Sequence, residues 1–172
     1  MRINAVIASA CLVLSITPAI SSSATPARAA FSFMGEDTDT PTRRDLSLDT
    51  KCASAGDRFD CTDASATLAG VAMDWLIVSY NKRMLYRVMG ASRNRQYDVL
   101  LAAFTAKYGR PSTTTEKWQS KNGAAFDNAV CRWQFRDGML EFKNFGSDVN
   151  TSIFIFKSIK NAPPRSAPKV DF

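Results

Sequence analysis

The sequence predicts an α+β fold: an antiparallel sheet made from a hairpin and a later meander, with one main helix packed across it. Three observations carry this expectation. Two runs rich in β-branched, aromatic and other apolar residues, 73–80 and 84–89, flank the polar Asn81-Lys82-Arg83. Tyr97, Leu100, Leu101, Phe104 and Tyr108 then recur at intervals of three and four, which places them on one helical stripe. Finally Cys131, Trp133 and Phe135 alternate with Arg132, Gln134 and Arg136 ahead of Asp137-Gly138, the pattern of a strand entering a tight turn.

The hairpin admits two registers. If Asn81-Lys82 is a two-residue turn, Tyr80 pairs Arg83, Ile77 faces Tyr86 and Trp75 faces Val88. A three-residue turn instead aligns Leu76, Val78 and Tyr80 with Val88, Tyr86 and Met84, and both choices give an apolar face. In the helix, Asn94 is placed to cap the start, Gly109 to end it in a left-handed conformation, and Pro111 to forbid its resumption. With Asp137-Gly138 as a two-residue turn, Trp133 pairs Phe142, Phe135 pairs Leu140, and Gln134 pairs Glu141 on the outer face. The run Ile153-Phe154-Ile155-Phe156 is apolar on both faces and belongs inside the sheet or under the helix. Further strands are expected near 117–121 and around 126–130.

Both ends of the chain read differently. Arg2 is the only charge in the first twenty-seven residues, and the apolar stretch 5–20 follows it. Thr17-Pro18 interrupts that stretch short of the roughly 20 apolar residues a membrane span requires. Ala27-Arg28-Ala29 supplies the small residues of a cleavage site, so residues 1–29 read as a cleavable signal peptide with cleavage before Ala30. No transmembrane segment is expected after cleavage, and the protein should be periplasmic or secreted. Cys11 makes no lipobox, because too few apolar residues precede it. Residues 30–50, rich in Asp, Thr, Ser, Pro and Arg, read as a disordered or extended leader, and 161–172 as a Pro-rich disordered tail. A single domain over 51–160 lies between them.

Cleavage leaves three cysteines. Cys52 and Cys61 sit in a polar segment with Gly56 and several aspartates, the setting of a small disulfide-closed loop, and Cys131 reads as a buried free thiol. A metal site is not expected, since the chain has no histidine and the cysteine spacing matches no two-plus-two arrangement. The missing histidine also removes the Ser-His and Cys-His catalytic designs. Ser65 and Ser79 lie in no nucleophile elbow, and neither a phosphate loop nor a dinucleotide fingerprint occurs, so no cofactor is expected. Asp74, Asp127, Asp137 and Glu141 are the carboxylates that a histidine-free hydrolase would draw on.

The order of hairpin, helix ending in Lys107-Tyr108-Gly109-Arg110-Pro111, Trp118 strand and meander with Trp133 and Asp137-Gly138 resembles a set of secreted or periplasmic bacterial α+β domains. In these a helix closes on a Tyr-Gly-x-Pro turn before a tryptophan-bearing meander. In outline it is similar to the outer-membrane assembly lipoprotein BamE and the β-lactamase-inhibitor proteins. The resemblance covers residues 73–158 and implies a binding module of the envelope; it carries over no functional residue.

Charge points to a partner class. The segment 31–73 carries −4 and 74–172 carries +8. Lys82, Arg83, Arg87, Arg93 and Arg95, interleaved with Tyr80, Tyr86 and Tyr97, form the candidate binding surface for anionic groups. Lipid headgroups, lipopolysaccharide or an acidic protein fit it, with nucleic acid the least expected. Arg132, Arg136 and Lys143 form a second basic strip on the outer face of the meander. The leading expectation is an exported non-enzymatic binding module with an envelope or protein partner. The alternatives are a secreted inhibitor or effector-like protein, and a hydrolase using carboxylates without histidine.

Overall fold

The computed structural model describes residues 28–119 and 123–164. Residues 1–27, which hold most of the expected signal segment, and 165–172 lie outside the described residues. In chain order the elements are β1 (Ser32–Phe33), β2 (Glu36–Asp37), β3 (Cys52–Ala55), β4 (Arg58–Asp63), β5 (Thr67–Leu68), β6 (Val71–Ala72), β7 (Trp75–Asn81) and β8 (Met84–Arg93). A 3-10 turn (Asn94–Gln96) leads into α1 (Tyr97–Tyr108), followed by β9 (Ser112–Gln119), β10 (Ala125–Gln134), β11 (Gly138–Lys143) and β12 (Thr151–Ser158). Eight strands make one antiparallel sheet in the order β3-β4-β7-β8-β12-β11-β10-β9. The fold is therefore mainly β, and the expected α+β class is corrected: one twelve-residue helix lies against eight strands. Composition hid this, because β9 is the polar run Ser-Thr-Thr-Thr-Glu-Lys-Trp-Gln, whose threonines are β-branched but carry no apolar alternation.

Helix α1 forms over the expected stripe. Tyr97, Leu100 and Phe104 are buried, Leu101 and Tyr108 are partly buried, and Gly109 ends the helix at φ 82° with its N–H on the Thr105 carbonyl. Asn94 does not cap it; its side-chain amide donates to the Asn144 carbonyl at 2.7 Å and ties the helix start to the β11–β12 loop. Directly opposed residues share a face, so Leu76, Val78, Val88, Phe154, Phe156, Leu140, Phe142, Cys131 and Trp133 all face the helix side. Phe104 packs edge-on against Trp133, Phe142 and Phe154 at centroid separations of 5.9, 5.4 and 5.2 Å. Trp75 and Ile77 lie on the opposite face.

The observed registers depart from expectation. The β7–β8 turn is Lys82-Arg83, with Asn81 opposite Met84 and a bulge between Ser79 and Tyr80, so that Val78 pairs Val88 and Trp75 pairs Ala91. Both turn residues have positive φ, 50° and 67°, a conformation that costs a non-glycine residue free energy. Bonds from outside the hairpin hold it. The Lys82 N–H donates to Asp57, the Thr42 N–H donates to Arg83, and the Arg83 guanidinium donates to the Thr42 carbonyl at 2.7 Å. In the meander Gln134 pairs Met139 and Trp133 pairs Leu140, a slip of two residues from the expected register that leaves every side chain on its expected face. Gly138 is the first residue of β11, where a Cβ would come within 2.2 Å of the Lys157 carbonyl oxygen.

Residues 30–50 are folded onto the sheet, which corrects their reading as a disordered or extended leader. Phe31 is fully buried, with its ring stacked on Phe156 at 3.7 Å, and Phe33, Thr38, Thr42 and Leu46 are buried with it. The start of the expected tail is tied as well: the buried Asn161 donates to the carbonyls of Thr38 and Leu85. Ile153–Phe156 lies in β12 between β8 and β11, as the two-sided apolar pattern predicts. Among the described residues no helix is long and apolar enough to cross a membrane.

Candidate functional site

The five residues of the candidate basic surface do not converge. Lys82 and Arg83 form the turn at one end of β8, while Arg93 and Arg95 lie at its other end, nine or more residues and about 30 Å away. Arg83 is engaged by the carbonyls of Thr42 and Arg44, Arg87 by the Ser79 hydroxyl and Asp60, and Arg93 by Asp74 at 3.5 Å. Lys82 and Arg95 are exposed at opposite ends. Of the tyrosines, Tyr80 and Tyr97 point into the helix-side core and Tyr86 occupies the bulge.

The second strip also separates. On the face away from the helix, the Arg132 guanidinium donates to Glu141 and Glu116 at 2.7 Å each, and the Lys143 ammonium lies 3.1 Å from Glu116 and 3.2 Å from Glu141. Arg132 and Lys143 together hold the Glu116 carboxyl below its ordinary pKa. Arg136 instead pairs with Asp39. The expected carboxylates are likewise scattered: Asp74 pairs Arg93, Asp127 pairs Lys117, Glu141 belongs to the network above, and the buried Asp137 accepts the Phe31 N–H at 3.3 Å.

Cys52 and Cys61 are bonded, directly opposite one another in the β3–β4 pair, and Cys131 is free and buried. That disulfide borders a cleft of about 180 Å³ on the helix side of β4 and β7. Its floor is the inward-facing row of β7, Leu76, Val78 and Tyr80, together with Cys61 and Asp63 of β4. The β1–β2 turn supplies Phe33, Met34 and Glu36 as one wall, and Arg44 and Lys51 reach in from the loop before β3. From Tyr80 to Leu76 is four residues of strand, about 13 Å, which gives the cleft two polar ends and an apolar middle.

At the Leu76 end, the Lys51 ammonium lies 3.2 Å from Asp63. Hydrogen bonds from the Ser65 hydroxyl and N–H, followed by Lys51, hold the Asp63 carboxyl below its ordinary pKa. At the Tyr80 end, Arg44 pairs with Asp49, and the Thr42 hydroxyl donates to Glu36 at 2.8 Å. Tyr80 is fully buried, and its hydroxyl has no hydrogen-bond partner. Arg44 beside it can only donate, and the Thr42 hydroxyl, whose own proton goes to Glu36, makes no hydrogen bond with it, so the phenol proton goes unclaimed. Burial, reinforced by the charge on Glu36, raises the Tyr80 pKa and keeps the phenol protonated. A buried donor without an acceptor costs about 1–3 kcal/mol. The Ser92 hydroxyl and one Asp137 carboxylate oxygen are the other buried side-chain atoms without a partner among the described residues.

Sequence reading missed this cleft because four of its residues, Phe33, Met34, Glu36 and Arg44, lie in the segment taken as a leader. The available signal was Phe31-x-Phe33, two large aromatics two residues apart in an otherwise polar stretch. Compared with protein-family models, curated proteins and solved structures, the chain matches none.

Proposed function

We propose that this chain is an exported, non-enzymatic binding module of the cell envelope, and that the cleft between β7 and the β1–β2 turn is where it engages an envelope component or a protein partner. The observation that carries the reading is the fully buried, unpartnered Tyr80 hydroxyl in a recess with an apolar floor and charged ends. Recesses of this kind, mostly apolar with a few placed polar groups, are the usual form of a binding site. Export is supported by the ordered signal segments at the start of the sequence and by the Cys52–Cys61 disulfide, a bond that persists in oxidising compartments.

The test has two parts. Mass spectrometry of the chain recovered from the producing cell is expected to find an N-terminus near Ala30; an intact Met1 in the envelope fraction would contradict export. Affinity capture from the native compartment is then run with the wild-type chain and with Val78→Phe, which places a ring in the cleft. A partner lost with the variant supports the reading, and a partner held equally by both removes the cleft from it.

A further inference from the structure

We infer that the cleft accepts one uncharged apolar group bonded to a carbonyl, as a leucine- or phenylalanine-sized residue of a peptide presents it. The inference rests on the binding-module reading and specifies what its site selects.

Size sets the first limit. A dry apolar cavity of about 150 Å³ holds a benzene ring, so a cleft of about 180 Å³ admits one ring or one branched alkyl group and little more. The wall chemistry sets the second. Phe33, Leu76, Val78 and the Cys61 sulfur line the middle of the cleft, where a charged or strongly hydrated group would be desolvated without compensation.

The third limit is the Tyr80 hydroxyl. Arg44 beside it has only donors to offer and the Thr42 hydroxyl, spent on Glu36, does not bond to it, so the unmet requirement is an acceptor, which a carbonyl oxygen at the edge of the apolar group provides.

Charge then separates a carbonyl from a carboxylate. The two cations of the cleft are already paired, Arg44 with Asp49 and Lys51 with Asp63, and Glu36 is a further acid in its lining. Glu36 lies close enough to Tyr80 for its charge to act on the phenol. A carboxylate placed on the Tyr80 hydroxyl would therefore find no unpaired cation and would stand near the Glu36 charge, whereas an amide carbonyl meets no such penalty. The anionic partner anticipated from the overall basic charge does not suit this site.

The experiment is an NMR titration of the mature chain, isotopically labelled and purified from the compartment to which it is delivered. The probes are N-acetyl-phenylalaninamide, its carboxylate counterpart N-acetyl-phenylalanine, and a capped Ala-Phe-Ala tripeptide. The expected result is amide shifts confined to β1–β2, β4 and β7, with the amide binding about five- to tenfold more tightly than the acid, the ratio one hydrogen bond and its charge environment supply. The tripeptide binding more tightly than the single amide supports a peptide source, and equal binding supports a free small amide; both keep the ligand class.

Tyr80→Phe is expected to lose about five- to tenfold for the amide while its spectrum remains that of the folded protein. Shifts scattered over the surface, an acid that binds as tightly as the amide, or undiminished binding by Tyr80→Phe would overturn the inference. If none of the probes binds while capture of the native partner still depends on Val78, the ligand class alone falls. If capture is also independent of Val78, the binding-cleft reading falls with it.

Discussion

The two halves of the sheet are roofed by different materials. Over β8, β12, β11 and β10 the roof is α1, whose rings pack into the sheet, Phe104 against Trp133, Phe142 and Phe154, and Tyr97 stacked on Phe142 at 4.6 Å; a cleft of about 170 Å³ opens only where Phe104 and Tyr108 meet the loop residues Met34 and Ala69. Some polar atoms at its margin are matched, the Trp133 indole donating to the Gly109 carbonyl at 2.7 Å and the Tyr108 hydroxyl to Ser32 at 2.8 Å, while the Ser92 hydroxyl and one Asp137 carboxylate oxygen are buried without a partner. Over β4 and β7 the roof is the β1–β2 turn and the loop before β3, and there a recess and an unmatched phenol remain. A helix can press an apolar stripe of five side chains into a sheet, whereas a two-residue hairpin brings one or two. The comparison teaches that the site lies where packing is completed by loop rather than by regular structure.

The difference can be broken most forcefully at Phe104. Phe104→Ala should cost roughly 3–5 kcal/mol, because four surrounding rings cannot all collapse into the space left behind. A thermal or denaturant melt reads it, and a midpoint near wild type would mean that the helix is not the anchor of the core. Next comes Cys52→Ala with Cys61→Ala, which removes a cross-link over a nine-residue separation. It should lower stability by about 2–3 kcal/mol and, since Cys61 borders the cleft, weaken ligand binding as well.

A smaller effect is expected from the charge network on the outer face. Glu116 has a depressed pKa in the folded chain, so its contribution is present above the unfolded value near 4.5 and is lost as pH falls through the folded value. Glu116→Gln should therefore match wild type in acid, below the folded value, and fall short of it near neutrality, by an amount that shrinks with added salt. Melts from acid to neutral pH check it, and a difference between variant and wild type that does not change with pH would show the pairing with Arg132 and Lys143 to be immaterial.

Particular residues show what was legible in advance. The helix was, since its stripe, Gly109 and Pro111 are local signals that tertiary contacts did not override. The Cys52–Cys61 bond and the interior place of Ile153–Phe156 were also legible, one from spacing and the other from two-sided apolarity. Registers were not. The Lys82-Arg83 turn has no glycine or asparagine at its centre and owes its geometry to Thr42 and Asp57, which are distant in sequence. Asp137-Gly138 looked like a two-residue turn, yet Asp137 is committed to Phe31 and Gly138 to a close approach of Lys157. The cleft was hidden for a related reason: strands β1 and β2 are two residues long and show no periodicity, and only the assembled sheet gives Phe33 a surface to cover.

The most direct test of the contrast is the melt of Val78→Phe, read beside its ligand titration. If the recess over β7 is space kept for a ligand, the added ring occupies it without the roughly 1–3 kcal/mol that overpacking a filled core costs, and amide binding is lost. A loss of several kcal/mol would show that the β4–β7 half is packed as densely as the helix half, and retained binding would place the ligand elsewhere; either result contradicts the account.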